Sequence, residues 1–423
     1  MRAFRAAMLF LLCQATTGQA TTASLDDCFA ASLGRATSLN ILSESVRQAE
    51  ERYKQSNALR LPTVAGIGTY TLQEPGHDRE NQAEARITAN QPLFRGFQEF
   101  AALRQISGEV EAAKLQREAA VTQLYKDVAA SFYAVLALEK DDENIRAEIA
   151  MIDQRIKDLQ KLQKIGKSRL SEVLAAKSAR VNLEVQATEV KGQVLAARET
   201  LAFLTGLPPD LSIVAPTGTE DGNLKVADSD LASALRRIDQ RPEVKAAASR
   251  VAATGEGVEI AHSAYYPTLD LNGNYYLRRV GEPNNGRWDA QLALNVPIYS
   301  GGMVSSRIAE AASKKQQSQD ELTLARQAAE QEIRTLRQAV ITKREQIAEL
   351  ETATSLAGKA YKEEQREYGL GLVTNLDVLS TLQSFKQSQR ALDRTRFALR
   401  LDLERYAIAL GERPGTRAKG VAP

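Results

Sequence analysis

The chain has 423 residues, of which 26% are charged and only 5% aromatic, with 55 Lys and Arg set against 53 Asp and Glu. That balance offers no basic patch for nucleic acid. The shortage of aromatics suits long exposed helices better than a compact enzyme built around a buried pocket.

Residues 1–20 read as a secretory signal: Arg2 and Arg5, the apolar run Ala6 to Cys13, then small residues ending Gly18-Gln19-Ala20. Cleavage after Ala20 removes two Arg and no acids, leaving a neutral mature chain with one cysteine, Cys28. One cysteine makes neither an internal disulfide nor a thiolate metal cluster. Leu12 argues against a lipid on Cys13, because an attachment site wants a small residue there. After the signal no apolar stretch approaches the ~18 residues of a spanning helix, so entry into a membrane has to rest on strands.

A helix is predicted over about 25–60, followed by two strands at about 62–73 and 83–94. In the second of these, Ala85, Ile87 and Ala89 alternate with Glu84, Arg86, Thr88 and Asn90. Next comes a very long helix over 98–164. Its apolar residues Leu103, Ile106, Val110 and Ala113, then Ile145, Ile149, Ile152, Ile156 and Leu159, step by threes and fours in a coiled-coil seam. At 1.5 Å per residue it makes a rod of ~100 Å. Gly166 breaks it, a helix over 170–205 follows, and 206–228 reads as a linker with a short strand at Leu211 to Ala215.

The same order then recurs 205 residues later. Pro62, Pro92 and Pro209 fall on Pro267, Pro297 and Pro414, and Gly68, Gly96, Gly166 and Gly206 fall on Gly273, Gly301, Gly371 and Gly411. Proline and glycine punctuate backbone, so matching them matches the breaks between elements. The domain plan is therefore a signal (1–20), repeat one (21–205, long helices 98–205), a linker (206–228), repeat two (229–411) and a flexible tail (412–423). Repeat two carries strands at about 267–279 and 287–298 and long helices over 303–410. Leu269, Leu271, Gly273, Tyr275 and Leu277 alternate with Asp270, Asn272, Asn274, Tyr276 and Arg278, and Ala290, Leu292 and Leu294 with Asp289, Gln291 and Asn295.

Such alternation also fits a half-buried sheet in a soluble protein. Strands of about ten residues, a polar second face, and Trp288, Tyr70 and Tyr275 at girdle positions favour a membrane barrel instead. Four strands cannot close, and an open edge in hydrocarbon strands backbone groups at several kcal/mol each. Three chains pooling twelve strands in one barrel, above a tunnel of long helices, resolve this; two chains leave too narrow a lumen. The fold class is mainly α with membrane β, in two tandem helix-strand-strand-long helix-helix repeats.

Tyr266-Pro267-Thr268-Leu269-Asp270-Leu271, then Leu294-Asn295-Val296-Pro297-Ile298-Tyr299-Ser300-Gly301-Gly302, resemble the TolC family of outer membrane efflux proteins. Gln91-Pro92-Leu93-Phe94-Arg95-Gly96-Phe97 is a weaker twin. Tyr368-Gly369-Leu370-Gly371 through Asn375-Leu376-Asp377-Val378-Leu379 resembles the family's turn at the periplasmic tunnel tip. The resemblance implies a homotrimeric passive conduit in outer-membrane lipid, opened by a periplasmic adaptor and an inner-membrane transporter of an efflux pump or type I secretion system. It implies no cofactor and no enzymatic step. Pro62, Pro92, Pro267 and Pro297 then mark barrel-helix transitions.

In relatives the tip is an iris narrowed by acidic side chains and held by links between helices. Asp377 matches the first acidic position of the constriction, and the second falls on Ser380. The Tyr that ties the inner helices falls on Tyr368, its acidic partner on Glu172, and a basic residue of some latches falls on Val373, which implies a weaker latch here. The plain alternatives are an N-capping role for Asp377 and a solvated helix-end pair for Glu172 and Tyr368. Gly166 and Gly371 mark tip turns that need a positive φ.

Little else suggests chemistry. His77 and His262 lack metal spacing and read as surface residues. Gly66-x-Gly68 precedes no helix and makes no phosphate cradle. Asp141-Asp142-Glu143 reads as a solvated helix face, since paired acid-base carboxylates need a cleft. A soluble periplasmic coiled-coil adaptor or scaffold is the rival reading, for which the repeated lipid-length strands have no use. Cargo is not legible.

Overall fold

The computed structural model describes residues 22–72, 81–215, 231–279 and 286–412. The predicted signal at 1–20, Cys13, His77, the linker beyond 215 and the tail from 413 lie outside the described residues. The first half contains α1 (Leu25–Arg35), α2 (Thr37–Ala58), β1 (Thr63–Leu72), β2 (Asn81–Arg95), α3 (Gln98–Lys164) and α4 (Leu170–Thr205). The second contains α5 (Leu231–Leu235), a 3₁₀ turn at Ile238–Gln240, α6 (Pro242–Ser263), β3 (Thr268–Arg278), β4 (Trp288–Asn295), α7 (Met303–Leu370) and α8 (Asn375–Ala409). The elements α2, β1, α3 and α4 start at 37, 63, 98 and 170, and α6, β3, α7 and α8 start at 242, 268, 303 and 375, a displacement of 205 in each pair.

The single helix predicted over 25–60 is in fact two. Ala36 between them is extended (φ −62°, ψ 93°). Its counterpart Arg241 is extended as well (φ −67°, ψ 138°), because the ring of Pro242 bars the preceding residue from the α region. Instead of a strand, 211–215 makes one parallel bridge, with the Ala23 N–H donating to Ser212 O (2.9 Å) and the Val214 N–H to Ala23 O (3.1 Å).

The chain forms two compact units, whose boundaries fall between α1 and α2, within α3, α7 and α8, and after 219. One, the sheet unit, comprises the described parts of 36–126, 220–344 and 402–423. Its sheet is antiparallel, in the order β1-β2-β3-β4. Register places Val64, Tyr70 and Leu72 of β1, Ile87 and Ala89 of β2, Leu271, Tyr275 and Leu277 of β3 and Trp288, Leu292 and Leu294 of β4 on one face. These side chains are exposed, Trp288 at 70% and Leu72 at 74%. The other face is polar and internally bonded: Asn90 to Asn272 (2.6 Å), Arg95 to Asp270 (2.9 Å), Asn274 to Asp289 (2.8 Å). A one-residue slip would exchange the two faces, so the alternation itself pins the register.

Two strand boundaries depart from expectation. Pro92, expected at the passage from strand to helix, lies inside β2, which continues to Arg95 before α3 begins at Gln98. Past Asn90, β2 pairs only with β3, and Pro92 sits at a register shift between Pro92 and Phe94, where a missing N–H is tolerated. The corresponding Pro297 lies beyond the end of β4 at Asn295, since β4 is an edge and 296–298 has no strand to pair with among the described residues. Pro62 and Pro267 each stand immediately before a strand.

The other, the hairpin unit, comprises the described parts of 1–35, 127–219 and 345–401. Here Ile152, Ile156 and Leu159 of the α3 seam pack with Val173, Ala176 and Leu183 of α4 and with Tyr361, Val378 and Leu382 of α7 and α8. Each such buried aliphatic side chain contributes about 1.5–3 kcal/mol. In the sheet unit the predicted seam residues Leu103, Ile106, Val110 and Ala113 are only half-buried, while Ala101 and Ala112 are fully buried. A Cβ on Gly108 would lie 3.1 Å from Ala253 Cβ and 3.2 Å from Ser249 O, so α3 and α6 approach closely enough to favour small residues.

Candidate functional site

Two turns close the helical hairpins. Each ends a long helix with a left-handed glycine, Gly166 (φ 74°) and Gly371 (φ 78°). At the first, the Gly166 N–H donates to Gln163 O (3.0 Å) and the Lys167 N–H to Leu162 O (2.8 Å). At the second, the Gly371 N–H donates to Tyr368 O (3.0 Å) and the Leu372 N–H to Glu367 O (3.1 Å). This pair of hydrogen bonds satisfies carbonyls left over at a helix end, and only glycine adopts the turn without strain.

The next helix of each hairpin starts on an acid at its third position, Glu172 in α4 and Asp377 in α8, again 205 residues apart. Asp377 Oδ2 accepts from the Thr374 N–H (2.8 Å) and hydroxyl (2.7 Å), and the Asp377 N–H donates back to Thr374 Oγ1 (3.4 Å). That is a capping box, and its donors hold the Asp377 carboxyl below the usual range. Asp377 is nonetheless exposed, as is Ser380 one turn on.

Glu172 Oε2 accepts from the Ser168 hydroxyl (2.5 Å), from the Arg169 N–H (3.3 Å), and from the phenol of Tyr368 at the end of α7 (3.3 Å). Burial pushes this carboxyl up, but the donors outweigh it and hold it below its ordinary value. Val373 packs against the core beneath the turns. A cation sequence reasoning missed stands there instead: Arg155 of α3 lies over the Tyr368 ring, 3.8 Å from its centroid, and its Nε donates to Asn375 Oδ1 at 2.8 Å. Its only signal in the sequence is a charge beside the Ile152 and Ile156 seam, which says nothing of the partner.

A second correction concerns Asp141. It is not on a solvated face: it is 2% exposed and is held by Arg390 (Nε to Oδ1 2.6 Å, Nη2 to Oδ2 3.0 Å) and by Arg394 (2.6 Å) of α8. Its neighbours Asp142 and Glu143 do pair locally, with Arg146 and Lys140. The period of α3 puts Asp141 on the same stripe as Ile145 and Glu148, which charge alone concealed. Of the remaining candidates, His262 is exposed, and Gly66 and Gly68 lie within β1. Among the described residues no cluster of three His, Cys, Asp or Glu could hold a metal, and no helix is long and apolar enough to cross a membrane.

The family model for outer membrane efflux proteins matches this chain twice, at residues 31–207 and 236–412, two stretches 205 residues apart. The chain belongs to the outer membrane efflux protein family. As a family member it is an outer-membrane protein, and its relatives are channels rather than enzymes. It is 28% identical over 221 residues to the fusaric acid resistance protein FusA of Burkholderia cepacia, a match covering 48% of this chain and 38% of that protein's length. With the outer membrane efflux protein BepC of Brucella suis biovar 1 it shares 24% over 375 residues, 84% of this chain and 78% of BepC. Its fold superposes on the transmembrane channel CusC with a TM-score of 0.82 at 17% identity, over 92% of both chains. The fold is thus shared with a solved transmembrane channel despite little shared sequence.

Proposed function

We propose that the chain is one third of a passive exit duct, in which three four-stranded sheets close a twelve-stranded barrel in the outer membrane and the long helices continue it as a periplasmic tunnel. The observation that carries this is the sheet: one face apolar and exposed, the other polar and bonded, and an unpaired edge at both β1 and β4 among the described residues. An apolar face suits lipid, while free edges do not, so each edge has to find the opposite edge of a neighbouring copy. The duct does no chemistry. An adaptor and an inner-membrane transporter, of an efflux pump or a type I secretion system, supply the energy and open the closed end.

At that end the hairpin turns form the constriction. Three Asp377 carboxylates face the axis and attract cations, with Ser380 leaving a single acidic ring. Capping and ring are compatible, because Asp377 bonds its own turn and is still exposed. Glu172 and Tyr368 latch the two hairpins of a subunit together.

Size measurement in mild detergent tests the architecture: a heat-dissociable trimer in the membrane fraction is expected. A monomer that stays in the aqueous fraction after membranes are pelleted refutes the barrel.

A further inference from the structure

We propose that Arg155 is the positioning residue of the latch, its guanidinium fixing the Tyr368 ring so that the phenol stays within reach of Glu172. The inference rests on the reading of Glu172 and Tyr368 as a latch and adds the part that holds it in place. On its own the Tyr368 to Glu172 bond is a poor fastener. At 3.3 Å it is long, and the accepting oxygen already takes the Ser168 hydroxyl at 2.5 Å and the Arg169 N–H at 3.3 Å. A phenol at a helix end, free to change rotamer, would leave that oxygen well satisfied without it.

Arg155 removes that freedom. Its planar cation covers the ring face at 3.8 Å, a geometry in which the ring quadrupole attracts the charge. The same guanidinium is anchored in turn: Nε donates to Asn375 Oδ1 at 2.8 Å, and Asn375, 1% exposed, donates through Nδ2 to the Glu172 carbonyl at 3.4 Å. A single side chain of α3 therefore ties the end of α7 to the first residue of α8, and Asn375 returns the tie to α4. All four residues lie in the hairpin unit.

The repeat isolates this arrangement from ordinary packing. Shifted by 205 residues, Arg155, Tyr368 and Asn375 correspond to Ala360, Gln163 and Leu170, so none of the three parts exists in the other copy. The turns and capping acids are common to both copies. The clamp belongs to one hairpin pair only.

The test is resting conductance of the full-length assembled channel in planar bilayers, with potassium chloride as the permeating probe, for Arg155→Met, Tyr368→Phe and the double variant. Assembly and melting are followed on the same preparations. Arg155→Met is expected to raise resting conductance by a factor similar to Tyr368→Phe, and the double variant to rise no further than the larger single one. If Tyr368→Phe opens the channel while Arg155→Met lowers only the melting temperature, Arg155 is a packing residue and the proposal fails while the latch stands. Multiplying effects in the double variant also overturn it, because Arg155 would then act elsewhere. If neither single variant raises conductance, the latch itself is wrong and the proposal falls with it. Should Arg155→Met not assemble, Asn375→Ala frees the guanidinium without touching the ring: raised conductance supports the proposal and unchanged conductance overturns it.

Discussion

The first hairpin turn and the second begin from one plan and finish with different partners. Both have a left-handed glycine, a six-residue step to a capping acid and an exposed rim. Among the described residues the Asp377 carboxylate bonds only Thr374 of its own turn, whereas the Glu172 carboxylate bonds its own turn and also Tyr368 of the other hairpin. The duplication supplied the cap twice; the side chains opposite decide whether a cap stays local. Opposite Glu172 stand a tyrosine and an arginine, and their counterparts are Gln163 and Ala360.

The largest expected effect separates holding the hairpins together from latching their ends. Asp141→Asn leaves two arginines without their buried carboxylate and should cost about 3–5 kcal/mol in denaturant unfolding. Resting conductance should stay at the wild-type level. An open channel would show that the Asp141 cluster, and not the contrast between the turns, controls closure.

Next comes the latch. Tyr368→Phe combined with Glu172→Gln removes a bond of about 1 kcal/mol per subunit, roughly a fivefold shift toward opening, read as conductance. Acid should reproduce part of it. Because the folded Glu172 carboxyl sits below its ordinary value, its contribution is complete above the usual glutamate range and vanishes as pH falls through the depressed one. Conductance should therefore be flat from neutral to about pH 5 and rise only below the ordinary carboxylate range, and Glu172→Gln should abolish the rise. A rise already at pH 6 assigns the response to another group.

Thr374→Ala tests the second turn. Loss of the cap should cost about 1 kcal/mol in melting with no change in conductance. Equal opening by Thr374→Ala and by the latch pair would erase the asymmetry between the turns. Smallest of all, Asp377→Asn should weaken cation selectivity modestly, one ring being lost where no second exists. Selectivity left intact confines Asp377 to its capping role.

Much of the fold was legible. The 205-residue displacement, the ends of both long helices and the apolar face of three of the four strands follow from glycines, prolines and short periods. Ile152, Ile156 and Leu159 are buried as their spacing predicts. Among the site residues only Gly166 and Gly371 were marked by a local rule, the turn they make; Asp377, Glu172 and Tyr368 were singled out by the resemblance to the efflux family. Arg155 carried no such mark, and Asp141 carried a misleading one, since a run of three acids on a helix is usually solvated. The break at Ala36 was missed because neither proline nor glycine stands there, although its counterpart precedes Pro242.

By itself the sequence determined the long helices, the glycine turns that end them and the apolar side of the last three strands, because a backbone period and a φ restriction act within a few residues. The tertiary structure alone decided the β1-β2-β3-β4 order, in which Asn90 meets Asn272 across 182 residues, and the placing of Arg155 beside Asn375 across 220. Those partners are chosen by which surfaces fit when distant segments meet, and no local period encodes that choice.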